Sequence, residues 1–170
     1  METEADRSEG LECLTPPMSL TQWPTGQRRE RKTMKALAQE FPYPDESYRI
    51  IGACFEVYNE KGCGFLEAVY HDCLVFELGI QAIPFRHEPP IPLFYKGRPL
   101  PRGYSPDFTC WDKIVVELKA EDRLAPAHVG QLLNYLNATG YELGLLVNFG
   151  HYPGLEWRRF VRTQNPRRVM

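Results

Sequence analysis

Residues 104–120 carry the tightest constraint on the fold. Phe108-Thr109-Cys110 and Ile114-Val115-Val116 are β-prone runs on either side of Trp111-Asp112-Lys113, a short turn. The second run is too apolar for an exposed edge, so it predicts an interior strand. With the hairpin centred on Asp112, Asp107 and Glu117 lie opposite each other. Side chains alternate along a strand, so Glu117 and Lys119 share a face, and Asp107 joins it from across the ladder. Two carboxylates directly opposed on paired strands repel. An ammonium beside them suits a site for a hard divalent cation. Alternating charge also suits a solvated strand face, and the triad alone leaves both readings open.

The flanking sequence supplies helices and further strands. Helical spacing of Ile50, Ile51, Cys54, Val57 and Tyr58 predicts a first helix over 47–60, capped by Asp45 or Ser47 and ended by Gly62. A second helix is expected over 65–78, with an apolar stripe of Leu66, Val69, Tyr70, Cys73 and Leu74, ended by Gly79. Pro84, Pro89, Pro90 and Pro92 predict a broken edge strand over 83–95, with Lys96-Gly97 turning toward the Asp107 strand. A third helix over 127–138, ending at Gly140, precedes a buried strand over 143–149 and a last edge strand over 155–161. The order α-α-β-β-β-α-β fits an α/β fold, a mixed β-sheet flanked by helices.

Pro106-Asp107 followed by Glu117-Leu118-Lys119 resembles the signature of the PD-(D/E)XK nuclease superfamily. Gln131-Leu132-Leu133-Asn134-Tyr135 is similar to the helix motif of its RecB-like branch. Gly64-Phe65-Leu66-Glu67-Ala68-Val69-Tyr70 reads Gly-x-x-Glu-x-x-Tyr, as in the GxxExxY protein family. The resemblance runs from about residue 48 to about residue 150. It implies a restriction-endonuclease-like fold and hydrolysis of DNA phosphodiesters with Mg2+, or Mn2+, in repair, recombination or defence.

The resemblance also implies roles. Asp107, Glu117 and the backbone carbonyl of Leu118 hold the metal. Glu67 is an accessory acid that binds metal directly or through water. Lys119 orients the attacking water, stabilises charge on phosphorus, or serves as general base. Gln131 orients Lys119 or a phosphate. Tyr135 either touches the DNA backbone or packs in the core. His128 contacts phosphate or a coordinated water, or makes an ordinary polar contact at a helix start. His71, His87 and His151 show no ligand pattern along the chain.

A length of 170 residues fits one domain with a real core, and the net charge of −2 gives no global polyanion signal. The candidate basic patches are 28–35 (Arg28, Arg29, Arg31, Lys32, Lys35) and the C-terminal arginines Arg158, Arg159, Arg162, Arg167 and Arg168; a solvated tail explains each as well. Five cysteines without zinc spacing, and no secretory segment, suggest reduced thiols in a cytoplasm. No apolar run reaches membrane-spanning length. Residues 1–44 read as a polar, disordered extension with a short helix over 33–39, and Met34 is a candidate natural start. Residues 45–163 form the nuclease-like domain, and 164–170 a basic tail. DNA is the expected partner, RNA stays open, and specificity comes from a homodimer, a partner protein or not at all. A non-catalytic module that binds nucleic acid or protein through the same fold is the alternative.

Overall fold

The computed structural model describes residues 42–162. The 28–35 patch, the 33–39 helix, the extension to residue 41 and the 164–170 tail lie outside these residues.

Helix α1 (Pro44–Lys61) opens on Pro44, whose missing N–H costs nothing in a first turn. Its N-cap is Tyr43, not Asp45 or Ser47: both candidates sit inside the helix, and no side chain caps it. Ser47 is instead buried, donating to the Pro44 carbonyl at 3.1 Å and accepting from Arg159 at 2.9 Å. Helix α2 (Glu67–Ile80) starts two residues later than the spacing predicts. Leu66 therefore becomes an extended N-cap residue, 79% exposed, and leaves the apolar stripe. Tyr70, Leu74 and Leu78, at intervals of four, make the buried face. Gly79 does not end this helix, which runs on to a Gln81 cap. A helical glycine costs only about 1 kcal/mol, less than burying Leu78 one position earlier returns.

The main sheet has five strands, whose order in space follows their order in the chain. These strands are β1 (Phe85–His87), β4 (Phe108–Cys110), β5 (Ile114–Lys119), β6 (Leu143–Asn148) and β7 (Glu156–Val161). Helix α3 (Pro126–Thr139) connects β5 to β6, the parallel pair; the other pairings are antiparallel. The proline-rich stretch is more divided than expected. After β1, Ile91 forms a lone bridge to Tyr104, and β2 (Phe94–Tyr95) pairs with β3 (Arg98–Pro99) in a separate two-stranded hairpin. Lys96-Gly97 closes that hairpin rather than leading directly to β4.

The two sheet faces carry separate cores. Ile114, Val116 and Leu118 pack with α1 and α2, while Val115 packs with Leu132, Tyr135 and Leu136 of α3. By alternation, Glu117 and Lys119 lie on the α3 side of β5, a strand whose six residues are all buried. Arg158, Arg159 and Arg162 do not form a solvated basic run. Arg159 is 8% exposed and bonds Ser47, Arg158 pairs with Glu156 at 2.9 Å, and Arg162 donates to the Gly140 carbonyl. A β-strand turns successive side chains to opposite faces, so adjacent arginines cannot make one patch. Cys54, Cys63, Cys73 and Cys110 are free thiols. Burial pushes the Cys110 thiol up to about 12 and Cys54 higher still, which makes both poor nucleophiles. Among the described residues no helix is long and apolar enough to cross a membrane.

Candidate active site

The length of one turn sets the geometry. Lys113 N–H donates to the Cys110 carbonyl, and Trp111 and Asp112 both take positive φ, 50° and 54°. Arg49 lies over the Trp111 ring and Arg86 pairs with Asp112, holding the turn from both sides. Three residues separate Cys110 from its partner Ile114, so the register continues through Phe108↔Val116 to put Asp107 opposite Glu117. A slip of one residue would face Asp107 with Val116 and send the acids to opposite sides of the sheet.

Asp107 Oδ2 accepts the Leu118 N–H at 2.6 Å, where the β4 ladder has ended. A residue's N–H and C=O point to the same side of a strand, so the Leu118 carbonyl faces the Asp107 side as well. Glu117 is 1% exposed and receives Lys119 Nζ at 2.9 Å. Burial, and then the Asp107 charge, raise its pKa to about 7 against the pull of Lys119. Lys119 itself is held above its usual value. Burial works against the ammonium, but Glu117, Glu67 and Asp107 together outweigh it.

Glu67 arrives from α2, with a carboxylate oxygen 4.0 Å from Lys119 Nζ. The Gly-x-x-Glu-x-x-Tyr segment is the device that aims it. Gly64 has φ 101°, a conformation that disfavours any side chain. The hydroxyl of the fully buried Tyr70 donates to the Gly62 carbonyl at 2.9 Å and accepts the Phe65 N–H at 3.2 Å. The Tyr70 ring stacks on Phe149 at 4.6 Å. The loop before α2 is thus pinned to Tyr70 at the close of the first turn, and Glu67, the helix's first residue, lies beside Lys119 at the end of β5.

Helix α3 covers the site from the other side. Gln131 Nε2 donates to the Tyr135 hydroxyl at 2.9 Å, and that hydroxyl donates to the Ser105 carbonyl at 3.3 Å. Gln131 therefore bonds Tyr135 rather than Lys119. Tyr135 is 6% exposed and packs edge-on against Tyr104. Burial raises its pKa, and the charges of Glu117, Asp107 and Lys119 reach its hydroxyl. His128 Nδ1 accepts the Ala125 N–H at 3.2 Å, an ordinary contact at the start of α3.

Two features were not legible along the chain. His71 and His87, 16 positions apart, do meet: His71 Nδ1 lies 3.4 Å from His87 Nε2, and His71 Nε2 lies 3.5 Å from Asp107 Oδ2. Asp107 holds the His71 imidazole above its usual value against burial. His151 stays apart from them, bonded to the Gly154 carbonyl. The second feature is Asn148, fully buried at the end of β6. Its amide donates to the Glu121 carbonyl and accepts the N–H of Glu121 and of Gly150. Phe149 N–H donates to the Lys119 carbonyl at 2.7 Å. These bonds clamp the exit of β5, directly after Lys119.

Glu117 and Glu67 lie 2.9 and 4.0 Å from Lys119 Nζ, and the Asp107 charge also acts on that ammonium; carboxylate oxygens are the donor type that hard divalent cations take. Burial first, and the Asp107 charge second, raise the Glu117 pKa, and a cation at its carboxylate would offset both, so the donor set suits one. A family model described as the PD-(D/E)XK nuclease superfamily matches residues 44–160. No curated protein and no solved structure matches the chain.

Proposed function

This chain belongs to the PD-(D/E)XK nuclease superfamily, and from that membership we propose that it hydrolyses phosphodiester bonds of DNA with a bound Mg2+ ion. Mn2+ is the natural substitute. The observation that carries the reading is Glu117, a nearly unexposed carboxylate opposed to Asp107 and bonded to Lys119. Such a pair of acids is costly to bury unless charge is bound to it.

Asp107, Glu117 and the Leu118 carbonyl would hold the ion, and Glu67 would bind it directly or through water. The ion, once bound, supplies Lewis acidity to the scissile phosphate and a water of lowered pKa. Without a metal, the carboxylates around Lys119 favour its ammonium against the effect of burial. We assign it the role of a fixed positive charge that stabilises the developing negative charge on phosphorus. Gln131 and Tyr135 hold Ser105 and the strand entry to Asp107. Their role is positioning. The pinned Gly64–Tyr70 loop supports assignment to the GxxExxY branch, with residues 45–163 as the catalytic unit in a cytoplasmic enzyme of DNA repair, recombination or defence.

The test is direct. Purified protein is incubated with linear, circular and single-stranded DNA, and with RNA, in Mg2+ or Mn2+ and in EDTA. Cleavage that needs the ion and vanishes in Lys119→Ala with an unchanged circular-dichroism spectrum supports the reading. Binding that is equal with and without EDTA, with no strand cut, refutes it in favour of a non-catalytic nucleic-acid-binding module.

A further inference from the structure

A second cluster of ligand-type side chains lies beside the carboxylate site and is chemically different from it. We propose that His71, His87 and Glu88 form a binding site for a borderline divalent transition ion, best matched by Zn2+. One ligand atom from each residue comes within 4.8 Å of the others. The residues line a cleft of about 310 Å³ with Glu67, Ala68 and Asp72.

Three observations carry this. The first is the spacing of the imidazoles. Two bonds of about 2.1 Å meeting at a tetrahedral angle put their nitrogens about 3.4 Å apart, and His71 Nδ1 and His87 Nε2 are 3.4 Å apart. An N–H···N hydrogen bond between them would be long, since such bonds run to about 3.2 Å. The second is the other face of His71. Its Nε2 is buried, makes no well-formed hydrogen bond, and lies 3.5 Å from Asp107 Oδ2. A ligating histidine commonly turns its second nitrogen to a carboxylate, which fixes the tautomer and raises the basicity of the ligating nitrogen. Asp107 stands on that side of His71, and a small closure of the 3.5 Å gap on metal binding would give it this role. The third is Glu88. It sits just beyond β1 with φ 47°, left-handed for a non-glycine, and its N–H is tied to the Asp107 carbonyl at 2.8 Å. Strained backbone of this kind persists where the surroundings hold it, and it collects at functional sites. A Glu88 carboxylate oxygen lies within 4.8 Å of a ring nitrogen of each histidine.

Two nitrogens and one oxygen select Zn2+ and its neighbours over Mg2+, which prefers oxygen alone. His87 and Glu88 are exposed, so the ion has an entry path and a fourth position open to water or an anionic oxygen from the cleft. Because Asp107 stands beside His71, occupancy of this site and of the carboxylate site share one residue.

The test does not use cleavage. Chelator-stripped full-length protein is titrated with Zn2+ in excess Mg2+, in competition with a colorimetric chelator, and the bound metal's ligands are read by X-ray absorption. His87→Ala and Glu88→Ala replace exposed side chains, and circular dichroism verifies their fold. Each should weaken the zinc site at least about 100-fold, beyond what loss of an outer-shell partner costs. Glu117→Ala should keep it, with two imidazoles in the absorption spectrum. Unchanged zinc affinity in His87→Ala, loss in Glu117→Ala instead, or sulfur ligation in the native protein each overturns the proposal. Failure here leaves Mg2+-dependent cleavage untouched, and failure of cleavage leaves the zinc titration intact.

Discussion

The burial of Glu117 makes a quantitative prediction about the metal-free protein. Its carboxyl is 1% exposed, and burial followed by the Asp107 charge raises its pKa from 4.5 to about 7. A carboxyl with a raised folded pKa binds its proton more tightly in the native state than in the unfolded one. Native stability is therefore greatest below the unfolded value and falls as pH climbs toward the folded value. The shift is about 2.5 pK units, and each unit is worth about 1.36 kcal/mol. Metal-free protein should thus lose on the order of 3 kcal/mol between pH 4.5 and pH 8 from this group. For a chain of this size that lowers the unfolding midpoint by roughly 6–12 °C. His71, also raised by Asp107, adds a loss of the same sign as pH rises through its folded value. The readout is accordingly the difference between native protein and Glu117→Gln, followed by thermal unfolding in EDTA from pH 5 to 8. The native midpoint should fall over that range, and Glu117→Gln should flatten most of the slope. Added Mg2+ should restore the native midpoint at pH 8 but not that of Glu117→Gln. Equal slopes for the two proteins would show that Glu117 is not the strained acid described here.

Three other perturbations probe the supporting structure. Lys119→Met should cut metal-dependent cleavage by about 10²–10³ in kcat, the cost of removing one preorganised electrostatic contact, while Mg2+ binding measured by calorimetry is retained or tightened. Tyr70→Phe loses the bonds to the Gly62 carbonyl and the Phe65 N–H, so it should cost about 1–3 kcal/mol in urea unfolding and raise the Mg2+ concentration needed for half-maximal cleavage, as Glu67 loses its aim. Gly150→Ala would place a Cβ 2.5 Å from the Ala120 carbonyl carbon and the Glu121 nitrogen. Because those atoms are backbone, chemical denaturation should show a loss of about 1–3 kcal/mol, and activity should drop through the displaced exit of β5.

The periodicities and the turn residues determine much of this protein without any tertiary information. Alternation along Ile114–Lys119 puts Glu117 and Lys119 on one face, and the length of the Trp111–Lys113 turn puts Asp107 across from them. Both are local: each depends on a few consecutive residues and on backbone geometry common to all strands. The helix ends were less legible. Leu66 and Gly79 misread by their local pattern because the Tyr70 contact, not a capping side chain, decides where α2 begins, and burial of Leu78 decides how far it continues. Arg159 looks like part of a basic tail until it is seen beneath Ser47, 112 positions away. What only the folded chain decides is convergence. Glu67 beside Lys119, Asn148 on the exit of β5, and His71 against His87 and Asp107 join residues from different elements. No spacing rule links positions whose distance is set by how helices pack on a sheet.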